Sequence, residues 1–212
     1  MTIYLHSKDP LSNEILKQVK HIPKCPGTCI FIDIYNSTNL KFEVRFEEWA
    51  KMMNNTFNFI TILSGFPKNV VKGIGDEIMI YIPDEELKNN DYFRSHYELL
   101  MEIYATIDNI KNFPVKKLFL ECKVSIHFSR DVYNITFLKG FNDYYGKGID
   151  LAARLQSKSK PNRIVISEEF YKKVKKDTRS IPDSKILKVI SKKYIEDFKG
   201  LPKPTEYRVI DV

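Results

Sequence analysis

The chain has 212 residues, 43% hydrophobic and 29% charged. That is enough for one domain whose core needs no disulfide or metal staple, and it excludes a disordered chain. No apolar run approaches a membrane span and the N-terminus lacks a signal-peptide layout, so a cytoplasmic protein is expected; the net charge of +7 suits an anionic ligand and equally a solvated, lysine-rich surface. Cys25, Cys29 and Cys122 have no paired spacing, which argues against zinc and for reduced thiols.

Residues 1–27 are mixed and interrupted by Pro10, Pro23 and Pro26, and read as a short strand, a brief helix near Asn13–Val19 and a lead-in. The dense apolar run from Thr28 to Tyr35 reads as a buried strand. From Lys41 to Leu63 the apolar residues Phe42, Phe46, Trp49, Met52, Met53, Phe57, Ile60 and Leu63 recur at helical spacing, with Glu43, Glu47 and Glu48 on the wet side; the aromatic stripe is expected in the core. A hairpin follows at Val70–Ile82, then a helix from Tyr92 to Ile110. Lys117–Phe128 is a strand candidate, with Tyr133–Phe137 expected to pair with it. Asp150–Ser157 reads as a short helix, Arg163–Ser167 as a strand, and Glu168–Lys176 as a helix capped by Ser167. The tail strands are Tyr194–Phe198 and Glu206–Ile210. The order is that of an α+β, ferredoxin-like βαββαβ core with an extra C-terminal strand–helix–strand appendage, in a single domain.

Two acidic positions stand out. Asp33 ends the first buried strand, where a carboxylate is costly unless something cationic meets it. Asp76 sits at the tip of the hairpin beside Gly73 and Gly75. Two aspartates on adjacent strand ends, with backbone amides nearby, suit Mg²⁺ together with a triphosphate.

Four blocks, Phe31–Thr38, Lys72–Asp76, Asp143–Leu155 and Phe198–Gly200, follow one another in an order and spacing that resemble the catalytic domain of class III nucleotidyl cyclases, over residues 28–212. Ser125–His127 and Ile164–Ser167 stand where that family has equivalent strands. The resemblance implies that Asp33, Asp76 and the Ile34 carbonyl hold two Mg²⁺ or Mn²⁺ ions. It implies that Asn36, Ser37 and Thr38 form a phosphate cradle and that Arg154 meets charge on the α-phosphate, while Lys199 meets the terminal phosphates. It further implies a head-to-tail homodimer with two sites at the interface and an inactive monomer. Lys72 and Asp143 match the pair that reads adenine in adenylyl cyclases, a pattern that makes GTP the least favoured substrate and that cytosine also satisfies.

Two departures matter. Asp150 stands where the family usually has a transition-state Asn, and an Asp cannot donate an amide N–H. Tyr35 stands where a smaller aliphatic residue is usual, and either narrows the base pocket or packs in the core. A short standalone form resembles the pyrimidine cyclases of bacterial antiphage (Pycsar-type) defence, which make cCMP or cUMP for a separate cyclic-nucleotide-sensing effector.

Three other readings compete. Gly75-Asp76-Glu77 superficially resembles a diguanylate cyclase hairpin, but Ile74 and Ile78 replace the paired glycine and the Phe. A silent nucleotide-binding domain is suggested by Asp150 and opposed by Asp33, Asp76 and Arg154. A nucleic-acid module rests only on charge, with Lys172, Lys173, Lys175 and Lys176 in one helical run, and no nucleic-acid or membrane partner is expected.

Overall fold

The computed structural model describes residues 2–9, 11–63, 65–66, 68–113, 118–180 and 185–212. A two-residue strand β1 (Ile3–Tyr4) and helix α1 (Glu14–Val19) lead into β2 (Gly27–Ile34), whose residues are buried up to Asp33. Helices α2 (Ser37–Glu43) and α3 (Phe46–Asn58) follow, the latter running on into a π-helical turn at Phe59–Leu63. The hairpin β3 (Val70–Ile74) and β4 (Glu77–Pro83) comes next, then α4 (Asp84–Leu87), α5 (His96–Lys111), β5 (Cys122–Ser129) and β6 (Ile135–Thr136). The C-terminal part is α6 (Lys147–Leu155), β7 (Arg163–Ser167), α7 (Glu168–Asp177), α8 (Lys185–Val189), β8 (Tyr194–Glu196) and β9 (Thr205–Asp211).

Seven strands form one sheet in the order β3-β4-β2-β5-β7-β9-β8. Its first four are the ferredoxin-like core, antiparallel throughout, and β7 adds parallel to β5 as the start of the appendage. Alternation along each strand sorts the side chains onto two faces. Ile30, Ile32 and Ile34 of β2 join Ile78, Ile80 and Ile82 of β4 and the α3, α5 and α7 side chains Met52, Leu99, Ile103, Phe170 and Val174 in the main core. Cys29, Phe31, Met79 and Tyr81 face the other way, against Ala152 of α6. Ser167 caps α7 as expected, its Oγ accepting from the Phe170 N–H at 3.2 Å. Ser95 does the same for α5 through the Glu98 N–H.

Four expectations are corrected. The helix read over Lys41–Leu63 is broken: Val44 is extended, Arg45 starts a new helix, and Phe42 (88% exposed) and Phe46 (70%) lie outside the core that holds Met52, Met53 and Ile60. A β-branched residue in extended geometry ends α2 where no Gly or Pro marks the stop. The Tyr133–Phe137 segment does not pair with β5. The chain leaves the sheet after Ser129, and β6 pairs in parallel with β1 instead, as Ile3↔Ile135 and Tyr4↔Thr136. The strand placed at Lys117–Phe128 starts at Cys122; residues 114–117 lie outside the described residues. The short helix read at Asp150–Ser157 starts earlier, at Lys147, which puts Asp150 and Arg154 on one face, four residues apart.

Candidate active site

The apolar run of β2 carries Asp33 to the sheet's end, where it pairs across the ladders with Glu77 of β4 and Lys123 of β5. Its carboxylate, 18% exposed, forms an ion pair with the Lys123 ammonium. The second aspartate is brought alongside by the hairpin. Gly75 has φ +67°, and Ile74 pairs with Glu77, so Gly75-Asp76 is a two-residue turn with the positive-φ residue first, the place that favours glycine. The Ile34 N–H donates to the Asp76 carbonyl at 3.1 Å, fastening the tip to the end of β2. Ser37 is buried, and its hydroxyl donates to the Asp76 carboxylate. Of the three residues read as a phosphate cradle, then, Ser37 already serves Asp76, while Asn36 (φ 59°) and Thr38 are exposed at the start of α2.

Sequence reasoning missed Lys123 and Glu77. The signal for Lys123 was the demand that Asp33 be met by a cation; which residue meets it depends on strand register. Glu77 is pushed up to about 7, by burial first and then by the Asp33 charge, with Lys123 opposing the rise and Asp76 adding to it. This is a cluster of carboxylates in which each charge disfavours the next. Its donors are hard oxygens, which suits Mg²⁺ or Mn²⁺. Among the described residues no three Asp, Glu, His or Cys side chains converge into a complete cage. An ion held here by Asp33 and Asp76 would need further ligands, which for Mg²⁺ are commonly water and substrate phosphates.

The base-reading candidates also meet. The Lys72 ammonium contacts both Asp143 oxygens, at 2.8 and 2.7 Å, and lies 5.8 Å from the centre of the Tyr145 ring. Asp143 is fixed further by the Tyr144 N–H at 2.8 Å, and Tyr144 stacks on Tyr81 with ring centres 4.1 Å apart. Tyr35 is 44% exposed, which removes core packing as its role.

Asp150 and Arg154 project from α6 into a cavity of about 770 Å³ that Lys147, Glu169 and the 200–206 loop complete. The Arg154 guanidinium lies against Gly200, and the neighbouring Lys199 is exposed. Helix α6 is held tightly on β5: Ser125 Oγ donates to the Ala152 carbonyl at 2.8 Å, and Gln156 Nε2 to the Lys123 carbonyl at 2.9 Å. Gly148 permits the approach, since a Cβ there would stand 2.2 Å from the Ser129 Cβ. Among the described residues, no hydrogen bond or ion pair joins Asp33 or Asp76 to Lys72, Asp143, Asp150 or Arg154. No described helix is long and apolar enough to cross a membrane.

Comparisons with known proteins bear on the fold and the family. A curated cytidylate cyclase from Staphylococcus aureus is 27% identical over 185 residues, 81% of this chain and 44% of that protein. The chain thus spans less than half the length of that relative. The crystal structure of the adenylyl cyclase CyaB from P. aeruginosa superposes with a TM-score of 0.66 at 21% identity, covering 91% of this chain and 99% of CyaB. The guanylate cyclase domain of RhGC from Catenaria anguillulae, solved in complex with GTP, gives 0.65 at 17% identity over 88% of this chain and 96% of that domain. The family described as the adenylate and guanylate cyclase catalytic domain matches residues 19–199, and the chain belongs to that family.

Proposed function

We propose that the chain converts a nucleoside triphosphate into a 3′,5′-cyclic mononucleotide and pyrophosphate, with CTP as the preferred substrate. The observation that carries the base assignment is the Lys72–Asp143 pair, a cationic donor held beside an anionic acceptor. Cytosine offers N3 as acceptor next to its amino group, which matches. Uracil offers N3–H as donor, which faces a lysine badly. The likeness to a cytidylate cyclase supports the same base. Adenine presents the same donor–acceptor edge as cytosine, so ATP is the second reading.

In this reading Asp33 and Asp76, with the Ile34 carbonyl, hold two divalent cations. When bound, these ions make the ribose 3′-hydroxyl more acidic and neutralise charge on the triphosphate. The 3′-hydroxyl gives up its proton to solvent, its oxygen attacks the α-phosphorus, the bond from that phosphorus to the bridging oxygen breaks, and pyrophosphate leaves. Arg154 offers a planar fork of donors to the charge that builds on the α-phosphate. Lys199 meets the terminal phosphates, helped by the Asn36–Thr38 amides. Lys123, paired with Asp33, is a further cation at the same end of the sheet. Asp150 would accept from the ribose rather than donate to it. Two copies supply complementary parts of each site; among the described residues no direct bond joins the carboxylate group to the base-reading and α6 groups. The cyclic product then acts through a separate effector, as in antiphage signalling.

The test is product identification. Purified protein is incubated with ATP, GTP, CTP and UTP separately, with Mg²⁺ or Mn²⁺, and cyclic mononucleotides are read by mass spectrometry. cCMP as the dominant product is expected. cAMP alone would install the adenylyl reading, and no product from a confirmed dimer would move the chain to the silent class.

A further inference from the structure

The segment between β5 and α6 carries Asp143, Tyr144 and Tyr145, and it stands outside the seven-stranded sheet. It is closed at its base by the Tyr133–Tyr145 bridge, with Tyr133 N–H to Tyr145 O at 2.8 Å and the reverse bond at 3.0 Å. Its strand, β6, pairs among the described residues with β1. Three contacts make the strap. The Ile3 N–H donates to the Asn134 carbonyl at 3.1 Å, the Leu5 N–H donates to the Thr136 carbonyl at 2.8 Å, and Thr2 Oγ1 donates to Asn142 Oδ1 at 3.0 Å. Leu5, 2% exposed, anchors the strap. From there the connection runs to the base readers, because Asn134 Nδ2 donates to the Tyr144 hydroxyl at 3.2 Å and the Tyr144 N–H holds Asp143. The family match begins at residue 19, so β1 lies outside it.

We propose that β1 is a positioning element for nucleotide-base recognition, setting the place of Asp143 and Tyr145 through β6. The inference rests on the reading of Lys72 and Asp143 as the base site. The carboxylates that would carry the chemistry sit on β2 and the β3–β4 tip, where β1 does not reach. Loosening β1 should therefore weaken nucleotide binding and blur base choice while leaving turnover alone. The Tyr133–Tyr145 bridge and buried Val132 keep the segment attached in either case, so the fold survives.

The test uses the full chain. Ile3→Pro deletes the N–H that bonds Asn134. Tyr4→Pro is the control, because the Tyr4 N–H points to the opposite edge of the strand and makes no hydrogen bond among the described residues. Ile3→Pro should raise KM for the preferred nucleotide roughly fivefold, with kcat changed by less than about twofold, the scale of one lost hydrogen bond. Tyr4→Pro should match wild type. Thr2→Val should shift KM in the same direction and Thr2→Ser should restore it. Hydrogen exchange at the Tyr133 and Tyr145 amides, read without substrate, should quicken in Ile3→Pro and not in Tyr4→Pro. Unchanged exchange overturns the strap, and faster exchange with an unchanged KM overturns its role in recognition. If Asp143→Asn also leaves KM and base preference untouched, the base-site reading has failed rather than the strap.

Discussion

Asp33 ends a strand bonded on both sides, by β4 and β5, and Asp76 sits in a two-residue turn tied back to that strand. Asp143 lies on a segment outside the ladders of the main sheet, which touches that sheet through Lys72 and the Tyr81–Tyr144 stack and whose strand β6 pairs, among the described residues, with Ile3 and Tyr4. Both carry a carboxylate and both are met by a lysine, yet one sits within the sheet's ladders and the other on a segment beside them. The physical lesson concerns tolerance. Groups that must hold charge close to a reacting phosphorus gain from a frame that cannot relax, because electrostatic stabilisation depends on preorganised geometry. Groups that choose a base need only place a donor and an acceptor along one edge, so their support can vary without touching the chemistry.

The largest effect should come from the rigid end. Asp33→Ala removes a proposed metal ligand and leaves Lys123 without its partner. Loss of several kcal/mol of transition-state stabilisation corresponds to a fall in kcat of about a thousandfold or more. Residual activity should keep the wild-type order of substrates, measured as the ratio of kcat/KM across the four triphosphates. A changed order would mean that the two regions are not separate.

Next in size is a pH effect inside the sheet. His127 of β5 is 5% exposed, with Nδ1 on the Ser167 hydroxyl at 2.9 Å, and burial pulls it down to about 4. Its folded value lies below that of the unfolded chain, near 6.5. Above pH 6.5 it is neutral in both states and adds no pH dependence. Between 6.5 and 4 the unfolded chain takes up the proton and the native one does not, so stability falls as pH falls. The loss reaches roughly 3 kcal/mol near pH 4. Denaturant melts of wild type and His127→Asn should therefore diverge in slope across that window and run parallel above it; parallel curves throughout would refute the assignment.

How far the sequence spoke follows the same division. The β2 run, the hairpin, β7 and the Ser167 cap were legible because each is announced within a few residues, by apolar density, Gly75 or a Ser before an acidic turn. Lys123 and Glu77 were not, because alternation tells which face a residue takes and not which neighbour it meets; that needs the register Asp33↔Lys123 and Asp33↔Glu77. The β1–β6 pair was hidden for another reason. Two residues are too few to show a period, and their partner is far along the chain. The break at Val44–Arg45 carried no Gly or Pro to mark it.

Asp143→Asn probes the second region. It keeps the shape, removes the charge that holds Lys72 and replaces an acceptor with a mixed donor and acceptor. Loss of a charged hydrogen bond predicts a ten- to hundredfold rise in KM, at roughly 1.5–3 kcal/mol. The preference for cytosine over uracil should narrow, while kcat for the preferred substrate stays near wild type. A collapse of kcat with selectivity intact would place Asp143 with the rigid group instead.

The smallest effect tests the seam between the two. Tyr81 belongs to β4 and the sheet, but its ring stacks on Tyr144 and its hydroxyl donates to the Cys25 carbonyl, in the stretch where the Cys25 N–H bonds Val132 at 2.7 Å. Tyr81→Phe keeps the stack and deletes one buried hydrogen bond, which costs about 1 kcal/mol, read as a lower melting temperature. If the sheet and the segment are mechanically separate, that cost should appear in stability alone and KM should not move. A KM rise that follows the stability loss would mean that the sheet reaches the base readers through Tyr81. Combining Tyr81→Phe with Ile3→Pro then measures the coupling directly. Additive changes in KM mean two independent supports, and a shortfall means that β1 and Tyr81 hold the same element.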